Sequence, residues 1–279
     1  MKFTILGGEG FIGRRLREEC LLRGYEVIVP ERNAKPLDGE DLGHLIYCIG
    51  LTSDFRWRPF ETVEAHVQVM ADWLKFGTFQ SFLYLSSTRI YQESNGYGAA
   101  SEDMQLSVSM SADSLYNLSK MLGEALCLCD NRHTVRIARL ANVFGPDMSE
   151  ATFLGAVMAD ARRYGAVTIR ETPLSSKDYI SIDDAVRLLI SISLGGKHRT
   201  YNLASGIETA HAEIAQKIRE ISGAIIDFLP NAEQRQFPKV DISRLCTEFD
   251  FVPRPLLDSL PGLYFQAGEK RAGDNYGGE

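Results

Sequence analysis

Short apolar runs alternate with amphipathic stretches along the first half of the chain. The apolar runs have the length and the bounding turn residues of strands, and the amphipathic stretches repeat their apolar positions at helical spacing. The pattern predicts strands at 2–6, 26–29, 44–49, 82–86 and 134–140, and helices at 11–23, 61–76 and 114–129. Strands that alternate with helices indicate βα units, so the predicted fold class is α/β with a doubly wound parallel sheet.

The regular alternation of apolar runs and amphipathic stretches ends after residue 146. Helices are predicted at 153–164, 184–194 and 211–222, with a further strand at 200–203. We expect a nucleotide-binding core at 1–146, to which 179–203 return. A smaller C-terminal lobe, formed by 147–178 and 204–267, is expected to close over a substrate. The glycine-rich end, 268–279, is predicted to be a flexible tail.

The composition of the chain limits the kinds of molecule that the protein is expected to bind. The 279 residues carry a net charge of −7, which disfavours nucleic acid and anionic membranes but leaves room for an anionic small molecule in a local basic pocket. No apolar run reaches the length of a signal-peptide core or a membrane span, so we expect a cytoplasmic protein. The five cysteines are scattered and lack a second Cys or His pair at metal-ligand spacing, so reduced thiols and no metal site are expected.

A glycine-rich loop joins the first predicted strand to the first predicted helix. Gly7 suits the positive φ of a tight turn, Gly10 lets the backbone approach a pyrophosphate, and Gly13 lets the helix pack closely on the strand. The start of the helix, at Phe11 and Ile12, presents unpaired N–H groups and a partial positive charge. The loop, spaced G-x-x-G-x-x-G, therefore predicts a dinucleotide site.

The end of the second predicted strand bears on the choice of cofactor. Glu31 is the candidate acceptor for the adenosine ribose hydroxyls, which favours NAD, whereas Arg32 next to it would pair with the 2′-phosphate of NADP. The predicted cofactor is therefore NAD or NADP. Gly50, directly after the strand at 44–49, completes the predicted cofactor-binding residues together with Tyr116 and Lys120.

Tyr116 and Lys120 are four residues apart and share one face of the predicted helix 114–129. A cationic Lys120 would stabilise the phenolate and lower the pKa of Tyr116 from its reference value of about 10. Tyr116 would then exchange a proton with a substrate hydroxyl near neutral pH. Ser87 follows the strand at 82–86, where its hydroxyl would share the same substrate oxygen. These three are the predicted catalytic residues.

Six segments together resemble an extended short-chain dehydrogenase/reductase of the nucleotide-sugar epimerase/dehydratase group. In chain order they are 7–13, 86–91, 116–120, 139–146, 177–184 and 201–206. The resemblance implies a Rossmann-type core with a C-terminal substrate-binding lobe. It also implies that Ser87, Tyr116 and Lys120 form the catalytic triad and that the substrate is a nucleoside diphosphate sugar.

The chain departs from the family pattern at several positions. Lys177 stands where an arginine usually holds the diphosphate, and Arg235 falls near the place of a second such arginine. His66 replaces a usual asparagine. Thr88 and Arg89 stand where the 4,6-dehydratases have an Asp-Glu pair, so the groups needed to eliminate water are missing. Arg89 either faces the sugar, where it would bind an acidic substituent, or points outward to solvent.

These residues favour an NAD(P)-dependent nucleotide-sugar epimerase that transfers hydride through a keto-sugar intermediate. Two alternatives stay open: an NADPH-dependent ketoreductase of a nucleotide-linked keto-deoxysugar, and a non-catalytic NAD(P)-binding sensor. The predicted substrate-binding residues are Thr88, Arg89, Asn142, Lys177 and Arg235. Relatives in this group commonly pair through the two helices corresponding to 61–76 and 114–129. Helix 114–129 is apolar over most of its circumference, so a homodimer is predicted.

Overall fold

A six-stranded parallel sheet forms the centre of the protein. The computed structural model describes residues 1–36, 39–51, 54–94 and 98–274, except for the side chains of 267–274. The strands of the central sheet are β1 (Lys2–Leu6), β2 (Glu26–Ile28), β3 (His44–Tyr47), β4 (Ser81–Ser87), β5 (Val135–Leu140) and β9 (Thr200–Leu203). They lie in the order β2-β1-β3-β4-β5-β9, and each pairs in parallel with its neighbours.

Helices cover both faces of this sheet because its strands are apolar on both sides. Leu83 and Leu85 of β4 pack on the face covered by α1 (Phe11–Leu22) and α6 (Ile182–Gly195). Phe82 and Tyr84 point to the other face. That face is covered by α2 (Pro59–Val63), a π-helical turn (Glu64–Gln68), α3 (Val69–Phe76) and α4 (Leu115–Cys129). The predicted α/β, Rossmann-type doubly wound sheet is confirmed.

The order of the strands reverses at β1. The chain passes from β1 through α1 to β2 on one side, then crosses to β3 on the other side. The described residues of this crossing form no helix. Such a reversal opens a crevice at the carboxyl ends of the strands, where α/β proteins bind their ligands. The glycine-rich loop leaves β1 at this crevice.

The remaining elements form a second body of structure over the carboxyl end of the sheet. Its strands are β6 (Asn142–Phe144), β7 (Ala166–Glu171), β8 (Ser176–Ser181), β10 (Glu208–Ala210) and β11 (Ile225–Glu233). They form a three-stranded sheet, β10-β8-β6, and a two-stranded sheet, β11-β7. The helices that follow the core are α5 (Phe153–Tyr164), α7 (His211–Ser222), α8 (Ser243–Phe249) and α9 (Leu256–Asp274). A separate hydrophobic cluster joins α5, α7 and α9 to β7 and β11.

The structure refines several predicted elements. The single helix predicted at 61–76 is interrupted by the π-helical turn, and the five strands outside the central sheet, together with α8 and α9, were not predicted. The backbone of 268–274 continues α9, while 275–279 lie outside the described residues, so the flexible tail and the boundaries of core and lobe stay predictions. None of the described helices combines the length and the apolar character needed to cross a membrane.

Candidate active site

The glycine-rich loop closes tightly on itself and on the neighbouring strands. Gly7 takes a φ of +80°, the left-handed conformation that a tight turn needs. A Cβ added to Gly13 would lie 2.2 Å from the carbonyl oxygen of Gly7, and one added to Gly8 would lie 2.6 Å from the side chain of Val29. These glycines therefore let α1 begin directly against the end of β1, in the geometry that the sequence predicted.

The N-terminus of α1 is open to a ligand. Gly10 is the N-cap residue, and no side chain caps the helix, so the first N–H groups at Phe11 and Ile12 are available to an anion. Phe11, Ile12 and Gly50 line a cavity of about 370 Å³ at the carboxyl edge of the sheet. The uncapped helix and the glycine cradle fit the pyrophosphate of a dinucleotide.

Glu31 and Arg32 lie just beyond the end of β2, and both are exposed. Within the described part of the chain, neither side chain makes an ion pair or a hydrogen bond. Each is therefore free to contact the adenosine end of a dinucleotide. The geometry does not favour one over the other, so the choice between NAD and NADP stays a prediction.

Tyr116 projects from the first turn of α4 into the same cavity, which Ser87 also lines from the end of β4. Burial raises the pKa of the Tyr116 phenol, while a hydrogen bond with Ser87 and the positive charge of Arg89 lower it. Burial is the largest of these effects, so the phenol is protonated near neutral pH. The structure thus brings the predicted serine and tyrosine hydroxyls together.

Lys120 is buried one helical turn beyond Tyr116, but its ammonium group is directed elsewhere. Its Nζ donates a hydrogen bond of 2.8 Å to the carbonyl of Leu85 and lies 5.0 Å from the ring centre of Tyr84. Burial lowers the pKa of Lys120 to about 7, and the carboxylate of Glu124 offsets part of this change. The cation that lowers the pKa of Tyr116 in this structure is Arg89, while the ammonium of Lys120 is bonded to Leu85. The expected effect of Lys120 on the phenol stays a prediction.

His66 links the catalytic helix to the loop after β3. Its Nε2 accepts a hydrogen bond of 3.2 Å from the backbone N–H of Leu51, so the proton lies on Nδ1, which donates to Ser119 Oγ at 2.8 Å. Ser119 in turn donates to the carbonyl of Tyr116. Burial, together with the charge of Lys120, lowers the pKa of His66 to about 2, although the hydrogen bond from Leu51 acts in the opposite direction. His66 is therefore a neutral residue that positions Tyr116.

The predicted substrate-binding residues fall into two groups. Thr88, Arg89 and Asn142 line the cavity, together with Glu208, Phe237 and other residues of the second body of structure. Asn142 Nδ2 donates to the carbonyl of Asp178 at 2.9 Å, which fixes its position on β6. Lys177 and Arg235 lie outside the cavity lining.

Lys177 belongs to a half-buried cluster beside the cavity. Its Nζ lies 3.3 Å from Glu171 Oε1 and 4.6 Å from the ring centre of Phe153. The buried ring of His211 stacks on Phe153, with 3.9 Å between the ring centres. Because Glu171 already pairs with Lys177, the lysine offers a diphosphate less free charge than the sequence suggested. Arg235 is exposed, and its backbone N–H donates to Ser175 Oγ.

Arg89 faces the cavity and not the solvent. Its guanidinium carbon lies 5.0 Å from the ring centre of Phe55 and 5.2 Å from that of Tyr116. Burial lowers the pKa of Arg89, and the charges of Arg56 and Arg235 act in the same direction, while Tyr116 opposes them. Of the two orientations that the sequence left open, the structure has the inward one.

Several of the motif residues hold the fold together and take no part in the cavity. Arg139 pairs with the buried carboxylate of Glu124 at 2.6 Å and donates to the hydroxyl of Tyr91 at 2.7 Å. Tyr91 donates to Asn202 Oδ1, which joins β5 to β9 and to the segment after β4. A buried ion pair of this kind needs such additional hydrogen bonds to offset its desolvation.

Sequence reasoning missed the residues that complete the site from distant segments. Phe55, Glu171 and His211 belong to no motif, and their roles depend on contacts with Arg89, Lys177 and Phe153 that only the folded chain creates. Asp178 lay within a recognised segment, yet its function as acceptor for the N–H groups of Ser205 and Gly206 was not predicted. Among the described residues, no group of three His, Cys, Asp or Glu side chains is arranged to hold a metal ion.

Relatives with known names match most of the chain. UDP-glucuronic acid decarboxylase 1 of Arabidopsis thaliana is 23% identical over 300 residues, covering 94% of this chain and 69% of the relative. A dTDP-4-dehydro-6-deoxy-D-allose reductase of a Streptomyces species is 22% identical over 310 residues, covering 92% and 93%. The crystal structure of UDP-glucuronic acid 4-epimerase from Bacillus cereus with UDP-glucuronic acid and NAD superposes with a TM-score of 0.79. It is 20% identical, and the match covers 97% of this chain and all of that one.

A family model gives the assignment. The model of the NAD dependent epimerase/dehydratase family matches residues 44–204, more than half of the chain. The match begins at β3 and ends just after β9, so it includes Ser87, Tyr116 and Lys120. The glycine cradle, the uncapped helix and the paired hydroxyls agree with an NAD-dependent enzyme. This chain is a member of the NAD-dependent epimerase/dehydratase family.

Proposed function

We propose that this protein is a nucleotide-sugar epimerase that acts through a keto-sugar intermediate. The observation that carries the proposal is the meeting of the Ser87 and Tyr116 hydroxyls in a cavity that also opens to the glycine-rich loop. A substrate carbinol placed there would lie beside a proton-transfer group and beside the dinucleotide site. The Asp-Glu pair of the dehydratases is replaced by Thr88 and Arg89, which supports a reaction without loss of water.

Different residues would bind the cofactor and transfer the proton in such a reaction. Gly7, Gly10, Gly13 and the helix start at Phe11 and Ile12 would hold the pyrophosphate of NAD, which supplies the acceptor and later the donor of hydride. For the oxidation Tyr116 must act as the phenolate, which requires a cation beside the ring to offset the effect of burial on its pKa. The phenolate takes the proton of the sugar hydroxyl as the carbinol carbon is oxidised, and the resulting phenol returns it when the carbonyl is reduced.

Two further residues position the reacting hydroxyls. Ser87 holds the sugar oxygen against the phenol. Lys120, buried beneath the site, is placed to supply positive charge if its hydrogen bond to Leu85 is exchanged for one to the ribose. Both roles follow from the places of these side chains around Tyr116.

A second candidate is a ketoreductase that uses a reduced nicotinamide once per turnover. It is favoured by the state of Tyr116: because burial raises the pKa of the phenol, Tyr116 is protonated near neutral pH and ready to donate to a carbonyl oxygen. The Streptomyces relative, which matches over nearly its full length, is named as a reductase of a keto-deoxysugar linked to dTDP. Epimerisation also ends in such a reduction, so the two candidates differ in the fate of the cofactor.

The fate of the cofactor provides the test. The purified protein is denatured and the released dinucleotide identified by mass spectrometry, and the native protein is then incubated with UDP- and dTDP-sugars while NMR follows the sugar. Co-purified NAD, with conversion of a sugar to its epimer without added cofactor, would support the epimerase. Oxidation of one NADPH for each sugar reduced would support the reductase instead, and a protein that converts no sugar in either format would contradict both.

A further inference from the structure

Two cations line the cavity without an ion-pair partner in the described part of the chain, Arg89 and Lys120, and the ammonium of Lys120 already donates to the carbonyl of Leu85. The other cations close to Arg89 are paired or lie outside the cavity: Arg56 with Asp113, Lys177 with Glu171, and Arg235 exposed beyond the lining. No carboxylate of the described residues lies within 4.0 Å of the Arg89 guanidinium. The hydrogen bonds of Arg89 within the same residues are made by its backbone, whose N–H donates to Ser87 Oγ and whose carbonyl accepts from Gln92. The donors of the guanidinium group are therefore available to a ligand.

The surroundings hold this guanidinium in place without neutralising it. The rings of Phe55 and Tyr116 flank it at 5.0 and 5.2 Å and lie 5.6 Å apart from each other. Aromatic rings attract a cation and shield it from water, but they do not satisfy its N–H donors. Burial without an anion is unfavourable for a guanidinium, so the arrangement is one that an incoming anion would complete.

The position of Arg89 selects which part of the ligand it meets. The guanidinium lies against the ring of Tyr116, the residue whose hydroxyl acts on the sugar, so its nearest ligand atoms belong to the sugar. Its planar fork matches a carboxylate, which accepts two parallel hydrogen bonds. Resting on the proposed nucleotide-sugar chemistry, we propose that Arg89 binds a carboxylate on the sugar and that the preferred substrate is a nucleotide-linked acidic sugar.

The test compares two ligands that differ only in this group. Dissociation constants for UDP-glucuronate and UDP-glucose, and for the corresponding dTDP pair, are measured by calorimetry on the NAD-loaded protein. We expect the acidic sugar to bind about 10- to 100-fold more tightly than the neutral one, the usual effect of a charge-assisted hydrogen-bonded pair. In Arg89→Leu the preference should fall to within about twofold, with the loss confined to the acidic sugar, and Arg89→Lys should retain part of it.

Arg56→Leu is the matched control, because Arg56 lies over the same Phe55 ring but is already paired with Asp113. It should leave the ratio of the two affinities unchanged. Unaltered NAD affinity and circular dichroism establish that each variant is folded.

Three outcomes would overturn the inference. Equal affinity of the wild type for both sugars would do so directly. An equal loss of affinity for both nucleotide sugars in Arg89→Leu would show that Arg89 binds the diphosphate. A preference for the acidic sugar that Arg89→Leu preserves would show that another group selects the carboxylate. If no nucleotide sugar of either series binds, the proposed function fails and this inference with it, whereas binding without an acid preference overturns only the inference.

Discussion

At Tyr116, burial and charge act on the phenol in opposite directions. The helical spacing of Tyr116 and Lys120 predicted their shared face, and the position of Ser87 after β4 predicted its proximity. The cation that faces the phenol was not predictable, because it depends on the hydrogen bond from Lys120 to Leu85, a residue 35 positions earlier in the chain. It also depends on Phe55, which holds Arg89 against the Tyr116 ring. Spacing along one helix fixes a face, whereas side-chain direction depends on distant segments.

The role of Tyr116 in proton transfer gives the first prediction. Tyr116→Phe removes the hydroxyl and keeps the ring that contacts Phe55 and Arg89, so we expect turnover to fall by about 10²- to 10⁴-fold. Cofactor affinity should change little, since the glycine-rich loop is untouched. Steady-state rates on the substrate found by NMR, with NAD titrations alongside, measure both quantities. Near wild-type turnover in the variant would show that another group transfers the proton.

Glu31 and Arg32 are adjacent, exposed and of opposite charge, which makes them a matched pair for testing cofactor choice. Glu31→Ala should weaken NAD binding more than NADP binding, because a carboxylate accepts from the ribose hydroxyls and repels a 2′-phosphate. Arg32→Ala should weaken NADP binding more. Fluorescence titration of both cofactors against the three proteins gives the ratios. Equal losses for both cofactors in Glu31→Ala would show that this residue does not contact the ribose.

At the scale of elements, the π-helical turn between α2 and α3 depends on tyrosines from the sheet. Tyr47 and Tyr84 are register partners on β3 and β4, and their hydroxyls donate to the carbonyls of Ala65 and His66 within the turn. A π turn leaves backbone groups without their usual helical partners, and these two hydroxyls satisfy them. The sequence predicted one continuous helix because its apolar spacing is helical throughout. The interruption is decided by residues on other strands.

The buried His66 in this turn makes stability sensitive to acid. Its pKa in the folded protein is lowered to about 2, against an ordinary value of 6.5, so the unfolded chain takes up a proton that the native state does not. The free energy of unfolding therefore has its full value above about pH 6.5. Below that pH it declines by about 1.4 kcal/mol per pH unit for this one proton. His211, with a pKa lowered to about 4, acts in the same direction.

In His66→Gln the free energy of unfolding should fall less steeply with pH between roughly pH 6 and pH 4. The slope should be smaller by the amount that corresponds to about one proton. The free energy of unfolding in urea, measured at several pH values for both proteins, gives the slopes. The difference between them near pH 8 reports the lost contacts with Leu51 and Ser119 separately. An unchanged slope in the variant would show that His66 takes up its proton without unfolding.

The elements of the second body of structure were predicted unevenly, for identifiable reasons. Helices α5 and α7 have clear helical spacing, and their bounds agree with the prediction. Strand β7 buries Val167 and Ile169 and exposes the residues between, so its alternation was present in the sequence. Strands β6 and β10 have three residues each, too few for any periodicity, and form because β8 lies between them.

At the scale of the whole molecule, α4 leaves an apolar stripe uncovered. Leu122 and Leu128 are about half exposed, at 51% and 50%, and Ala125 and Cys129 are exposed beside them. The described part of the chain therefore does not cover this side of the helix. On α3, by contrast, Met70, Trp73 and Leu74 are buried against the sheet, so the partner surface that the sequence suggested there is smaller. The uncovered stripe supports the predicted homodimer.

Light scattering coupled to size-exclusion chromatography at micromolar concentration tests the dimer. We expect the wild type to have the mass of two chains. A double variant, Leu122→Glu with Leu128→Glu, should have the mass of one, because burying these charges at an interface is unfavourable. Leu22→Glu, at an exposed leucine of α1, is the matched control and should remain dimeric. A wild type that elutes as a single chain would contradict the prediction, and a dimeric double variant would locate the interface elsewhere.

The two-stranded sheet of β7 and β11 has a consequence for aggregation. The outer strands of the central sheet, β2 and β9, have three and four residues, so they offer another chain little unpaired backbone. Strand β11 has nine residues, pairs only with β7 among the described strands, and exposes Ile225 and Leu229. Pro230, which lacks an N–H donor, and the register shift after Phe228 interrupt this edge. Under heat or mutational stress, intermolecular strand pairing would therefore begin at β11, and Pro230 is the residue that limits it.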